Sequence, residues 1–458
     1  MTTTRSYAFR LKETDVFSYS MLIRMYIPVL IEQALIALLA VADTMMASYL
    51  SDAATAGVSY VTSINNWVNS FFSSMAAGAS ILTSQYIGQK RTNSAATSAR
   101  MALLANGCIA LVFSLILGMN PKGTLLFLLG DVDSAALGYA VDYFRFMIPA
   151  YVFRAIIYIC TATLRAEGDT RTPMIISVGM MVLALSLKFA LSYGLDLGVK
   201  GFSLATTVAA GITMVTAVLM LEFGKDRFRI FGDRHGKKFL NLSMALHSLR
   251  VGFPVAIDSS MFQLGVLILA RLLVTYGVVH SAANGIMIQI SPVLYLAGTC
   301  CGTVGLVAVS RSIGAGDKEQ AKRYYRLLLL TAVLLQLVHS VLGFIFADQL
   351  VRLFGGSEEV YALAAKLIRI YVCMAMPAYP GAFVQPQLLR GAGDTKFTMW
   401  CSIGAMFLIR IGCGYILGTV FEMGAVGLCI AMGINWIMRS IAFFARFCSG
   451  KWLDKAVV

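Results

Sequence analysis

The chain has 458 residues, of which 58% are hydrophobic and only 13% are charged. Soluble domains carry about 25% charged residues, and the mean hydropathy here is +0.76, so composition excludes an ordinary soluble enzyme. The net charge of +14 invites a nucleic-acid partner, and only the placement of the charges can decide that.

Crossing a hydrocarbon core about 30 Å thick takes about 20 apolar residues at 1.5 Å rise each. In chain order the sequence predicts twelve such spans: 22–49, 58–83, 97–119, 134–163, 173–195, 199–222, 250–276, 283–310, 323–347, 360–388, 397–418 and 422–447. The residues before the first are polar and lack an apolar segment ending in a small-residue cleavage site. The first span is therefore expected to double as the insertion signal. The nine cysteines lie in or beside apolar spans without a CxxC, and the four histidines are scattered. Neither set supports a disulfide framework or a zinc site.

With a cytoplasmic N-terminus and alternating spans, the inner segments collect Lys90, Arg91, Arg165, Arg171 and Lys318. They also collect the basic stretch GKDRFRIFGDRHGKK at 224–238. The outer segments hold little beyond Lys122, Lys200 and Arg352. This is the positive-inside bias that orients membrane proteins. The basic balance reads as topology, with no nucleic-acid partner, and both termini are expected in the cytoplasm.

The chain repeats itself. LRAEGDTRTPM at 164–174 recurs as LRGAGDTKFTM at 389–399. IPVLIEQ (27–33) faces FPVAIDS (253–259), SQYIGQKRTNSA (84–95) faces SRSIGAGDKEQA (310–321), and GVKGFSLA (198–205) faces GAVGLCIA (424–431). Six spans separate each matched pair, so the copies are parallel repeats related by an axis along the membrane normal, as in secondary transporters. The expected division is 1–223, a cytoplasmic linker at 224–247, and 248–458. In the repeated corner, Gly168 and Gly393 suit a left-handed helix end, and Asp169, Thr170 and Thr172 suit a cap, with Pro173 in the first turn. Arg165 and Arg171 are read as holding the turn at the cytoplasmic face, with Arg390, Asp394 and Lys396 doing the same in the second copy. The corners read as architecture rather than as ion sites.

VADTMMASYL (41–50), SQYIGQK (84–90) and the two LR-x-x-GDT segments, in this order and spacing, resemble the multidrug and toxic compound extrusion (MATE) family. The resemblance spans essentially the whole chain. It implies an all-α polytopic membrane protein, a V-shaped, two-lobed exporter of twelve helices that expels organic, often cationic, compounds against inward H⁺ or Na⁺. It also implies a coupling site at Asp43, the acid of the family's first-span motif, where desolvation and a bound cation pull the carboxyl pKa in opposite directions. A permanent salt bridge or a helix-end cap would explain Asp43 as well.

Lys188 departs from the family pattern, because many relatives carry an acid there. An Asp43–Lys188 pair would let the ammonium stand in for bound Na⁺ and favours H⁺ as coupling ion, while a lysine snorkelling outward is the plainer account. Glu32 and Asp258 stand four residues beyond Pro28 and Pro254 in equivalent places. They either line a cleft that attracts cations or bond the neighbouring helix near the inner interface. Asn65, Asn66 and Asn69 form a polar face that suits cleft lining or interhelical hydrogen bonds. Gln263 stands near a place where one branch of the family carries an acid, which puts a second-lobe Na⁺ site in doubt. Arg410 and Arg271 read as structural cations of the second lobe. No GxxxxGK[ST], HExxH or GxSxG occurs, so neither nucleotide-driven transport nor a membrane enzyme is indicated. No cofactor is expected. The partners are the bilayer and a small organic compound, in the plasma membrane, for a monomeric protein. The competing function is a lipid-linked saccharide flippase of the same superfamily.

Overall fold

A computed structural model describes residues 16–48, 52–129, 134–224 and 241–458. The basic stretch that begins the linker lies almost wholly outside the described residues, and so does the side chain of Asp43. Twelve long helices follow one another: α1 (Tyr19–Ser48), α2 (Asp52–Gly88), α3 (Thr92–Met119), α4 (Ser134–Ala166), α5 (Arg171–Gly194) and α6 (Gly198–Phe223). The second set is α7 (Leu242–Val274), α8 (Val278–Gly314), α9 (Lys318–Ile345), α10 (Glu358–Gly391), α11 (Thr395–Val420) and α12 (Gly424–Cys448). Every span predicted from the sequence is one of these helices. Eleven of them are both long and apolar enough to cross a membrane. The exception, α2, is 37 residues long, and its run of serines and asparagines dilutes its hydropathy.

The chain divides into two compact units: an N unit of residues 31–256, and a C unit of residues 1–30 with 257–458. Each boundary falls inside a helix, two residues beyond Pro28 in α1 and two beyond Pro254 in α7. In the N unit, α2, α4 and α6 enclose a core around Val61, Phe72, Phe144, Tyr151 and Phe202. In the C unit, α8, α10 and α12 enclose one around Met287, Ile368, Tyr371 and Trp436. The second, fourth and sixth helices of each repeat thus do the same work. Gly78 of α2 and Gly252 of α7 meet within the N unit so closely that a Cβ on Gly78 would lie 2.2 Å from the Gly252 Cα.

The repeated corners are built as the sequence predicts in one respect and differ in another. Gly168 (φ 88°) and Gly393 (φ 101°) are both left-handed, a conformation that costs glycine nothing sterically. Asp169 caps α5, accepting from the backbone N–H of Arg171 at 2.9 Å and of Thr172 at 3.1 Å. Asp394 makes no such cap. Its carboxylate turns to Arg446 of α12, at 2.6 and 3.2 Å. The reason is charge: the first repeat has Met220 where the second has Arg446, and an ion pair draws the carboxylate away from the backbone.

The register between repeats changes along the fifth helix. Gly168 and Gly393 are 225 apart, while the left-handed Gly198 (φ 53°) and Gly424 (φ 55°) are 226 apart. Both α5 and α11 end in a π-helical turn, Phe189–Gly194 and Ile416–Val420. Only α11 carries a second, Ala405–Ile411. A π-bulge is how a helix absorbs one extra residue, so the insertion lies there.

Candidate functional site

Each repeat builds a buried polar knot from three helices. In the N unit, Glu32 on α1 is almost fully enclosed, and both its carboxylate oxygens accept from Arg165 Nη2 at 2.8 Å. Ser177 of α5 donates to Glu32 Oε1 at 2.7 Å. In the C unit the same places hold Asp258, Arg390 and Ser402. Asp258 is 7% exposed and accepts from Arg390, which also donates through Nε to Thr398 at 3.2 Å. Ser402 lies beside Asp258 and accepts from Arg439 at 3.1 Å. The arginine of each repeated LR-x-x-GDT corner is therefore the counter-ion of the acid that follows each repeat's proline.

The knots answer a desolvation problem. A carboxylate removed from water is tolerated only when paired and hydrogen-bonded, and each knot supplies a guanidinium together with a serine. Sequence reasoning placed Arg165 and Arg390 at the membrane face as brackets, whereas the structure turns them inward onto Glu32 and Asp258. The signal was present, since an acid and an arginine both recur at the repeat spacing.

The remaining candidates are dispersed. Lys188 is buried near the end of α5, its ammonium 4.2 Å from the centre of the Phe202 ring, and the π-turn begins at the next residue. Asp43 lies in the C-terminal half of α1; since its side chain is outside the described residues, so is its pairing with Lys188. Asn65 is buried and accepts a hydrogen bond from Tyr151 across to α4, Asn66 is exposed, and Asn69 is half-buried. The three amides thus face different surroundings rather than forming one stripe. Gln263 is half-buried on α7, Arg271 is exposed, and Arg410 is half-buried in the π-turn of α11.

The MatE family model matches the chain twice, over residues 28–190 and 254–416, so the model itself recognises the duplication. The chain belongs to the MatE family, that of the multidrug and toxic compound extrusion transporters. It is 26% identical over 455 residues to the probable multidrug resistance protein NorM of Thermotoga maritima, covering 95% of this chain and 94% of that protein. It is 25% identical over 439 residues to the uncharacterized transporter YisQ of Bacillus subtilis, covering 94% of each. Among solved structures, a MATE transporter in its bent conformation superposes with a TM-score of 0.86 at 18% identity, over 95% of this chain and 96% of that one. A MOP superfamily transporter from Pyrococcus furiosus, described as having a binding pocket of reversed polarity, superposes at 0.87 with 19% identity, over 95% and 96%. The two-repeat, twelve-helix MATE fold and multidrug transport as the class of function follow from these matches. The knots at Glu32 and Asp258 are thus features of a multi-pass membrane transporter.

Proposed function

We propose that the protein is a monomeric secondary active exporter of the plasma membrane, with both termini cytoplasmic. It works by alternating access and moves organic compounds outward in exchange for inward H⁺ or Na⁺. The observation that carries this reading is the double MatE match on a chain whose two knots are closed within their own units. With Glu32 and Asp258 each held by an arginine, coupling is assigned to Asp43, on the half of α1 that belongs to the N unit. Two of the three acids that pointed to cationic cargo are neutralised, so that preference now rests on Asp43 alone.

In the proposed cycle, the Asp43 carboxylate alternates between a bound H⁺ or Na⁺ and the cargo. Lys188 is its partner when neither is present. A fixed ammonium offsets one negative charge as Na⁺ would, which favours H⁺ as the coupling ion. The resulting proton binding would have to break the Asp43–Lys188 contact, linking the gradient to the state of the lobe.

The test is uptake of a cationic dye into inverted vesicles under separately imposed H⁺ and Na⁺ gradients. The expected result is H⁺-driven uptake that is abolished by Asp43→Asn and reduced by Lys188→Ala. Uptake that ignores both gradients and survives Asp43→Asn would refute the exchange mechanism.

A further inference from the structure

The two repeats match in their knots but not in what surrounds them. Around Glu32 the charges balance, with one carboxylate against one guanidinium. Around Asp258 they do not, because the C unit adds Arg439 on α12 and Arg410 on α11. The first repeat has Thr213 in the place of Arg439, and an apolar residue, Ala184 or Leu185, in the place of Arg410. Both arginines lie well inside their spans, Gly424–Cys448 and Thr395–Val420. Among the described residues neither has a carboxylate at ion-pairing distance, since Asp258 already faces Arg390 and Asp394 already faces Arg446. Asp258 is the carboxylate near Arg439 and is already held by Arg390, so positive charge is in excess here. Excess charge at such depth is costly and marks function more often than architecture.

The hydrogen bonds point the same way. Arg439 is 5% exposed and held between the rings of Phe383 and Phe443, at 4.9 and 5.7 Å. It spends Nη2 on Ser402 and leaves its buried Nε without a partner. Arg410 lies 5.5 Å from the Phe262 ring, spends Nη2 on the weak acceptor Met432 Sδ, and also leaves Nε unpartnered. On the same stretch of α12, Trp436 Nε1 and both amide atoms of Asn435 are buried and unpartnered. Met432, Asn435, Trp436 and Arg439 lie on the inward face of α12, and Met432 and Arg439 are about 10 Å apart along the axis at 1.5 Å rise. Unmatched donors outnumber acceptors here, and buried donors left unpaired are expensive. Phe262 and Phe383, 6.2 Å apart edge to face, link the two guanidiniums through an apolar wall.

We propose that the interior of the C unit binds an organic carboxylate, with Arg410 and Arg439 as its charge partners, Asn435 and Trp436 as neutral donors, and Phe262 and Phe383 against its apolar body. A carboxylate offers paired acceptors to guanidinium edges, and a flat hydrocarbon body suits rings that already stack on cations. Arg410 is only half-buried, so part of its side chain lies at the surface of the C unit. The anionic group can belong to an exported compound or to a free organic acid, and in both cases the same donors would read it. The proposal rests on the transporter reading for its purpose but not for its test.

The test is equilibrium binding to the purified full chain in detergent, with no gradient, using 2-naphthoate, its methyl ester, chloride and pyrophosphate as probes. Intrinsic tryptophan fluorescence and thermal stability are the readouts. The wild type should be stabilised saturably by naphthoate and not by the ester. Arg410→Gln and Arg439→Gln should each weaken naphthoate binding at least tenfold, while Arg410→Lys, which keeps charge but loses the fork, binds at an intermediate level. Arg410→Met, which removes an unmatched charge, should leave the unliganded protein as stable as wild type or more so, so that loss of binding is not loss of fold. The proposal is overturned by equal effects of naphthoate and ester, by chloride or pyrophosphate matching naphthoate, or by undiminished binding in the Arg410 variants. Failure here would leave dye exchange at Asp43 untouched. To separate the two sources of the carboxylate, counterflow in proteoliposomes should show labelled naphthoate crossing the membrane if it is cargo, and binding without crossing if it is a bound acid.

Discussion

Removing the acid of each knot should have unequal consequences. The Glu32–Arg165 contact at 2.8 Å carries about 6 kcal/mol of raw attraction at an effective dielectric of 20, much of it offset by desolvation. In Glu32→Gln one guanidinium loses its counter-charge, but the Arg165 side chain is 22% exposed and can turn its charge toward the polar interface. The expected net loss is about 1–2 kcal/mol, near that of an unsatisfied polar group. In Asp258→Asn the Arg390 side chain is only 8% exposed and Arg439 is 5% exposed, so among the described residues two buried cations lose the carboxylate they share. Breaking a buried pair from one side costs about 3–5 kcal/mol, and the additional arginine places this variant at the upper end. Thermal unfolding followed by fluorescence-detected size exclusion, on variants purified side by side, measures both. The double variant Asp258→Asn/Arg390→Met should recover part of the loss, whereas Asp258→Asn alone should not be rescued by salt. Equal losses for the two acids, or a larger loss for Glu32→Gln, would refute the idea that the C unit carries unbalanced positive charge.

Gly78→Ala should cost about 3 kcal/mol, the upper end for overpacking, because its new methyl meets the Gly252 backbone. Gly138→Ala, with nothing within 4 Å, should be neutral or gain about 0.5–1 kcal/mol of helix propensity; expression and melting of the pair check this. Trp452 is fully buried in the short helix Lys451–Asp454 and packs on Tyr325 and Phe447, so Trp452→Ala should cost about 3–5 kcal/mol, read as a lowered Tm. Asp169→Ala should cost about 1 kcal/mol as a lost cap. Asp394→Ala should cost about 3 kcal/mol because it strands Arg446, and the difference is measurable in the same thermal assay.

The twelve spans were legible because length and hydropathy are properties of contiguous residues. The left-handed corners at Gly168 and Gly393 were legible for the same reason, since the turn and its glycine are neighbours in sequence. The knots were not, since Glu32 and Arg165 are 133 residues apart and local pattern says nothing about which arginine a buried acid will meet. The repeat could have supplied that information: an acid after the proline and an arginine before the corner both recur, and recurrence of opposite charges is what a pair would produce. The fate of Asp394 was beyond even that reasoning, because its partner Arg446 has no counterpart in the first repeat. Nor could spacing reveal Arg439 as a member of the second knot, where Thr213 stands in the first.

The second π-turn of α11 bears on how the two halves came to differ. In a regular α-helix one added residue would turn everything beyond it by about 100° around the axis, whereas a π-turn takes the residue up locally. A single codon thus suffices to present a new side chain while the flanking turns keep their places. Arg410 lies inside that turn. Removing one residue from 405–411 would return this stretch to regular α-helix, as in the matching part of α5, and move the guanidinium away from Met432 and Phe262. The step by which a duplicated half acquires its own ligand would then be one local bulge, reversible by deletion, with the helical scaffold left in place.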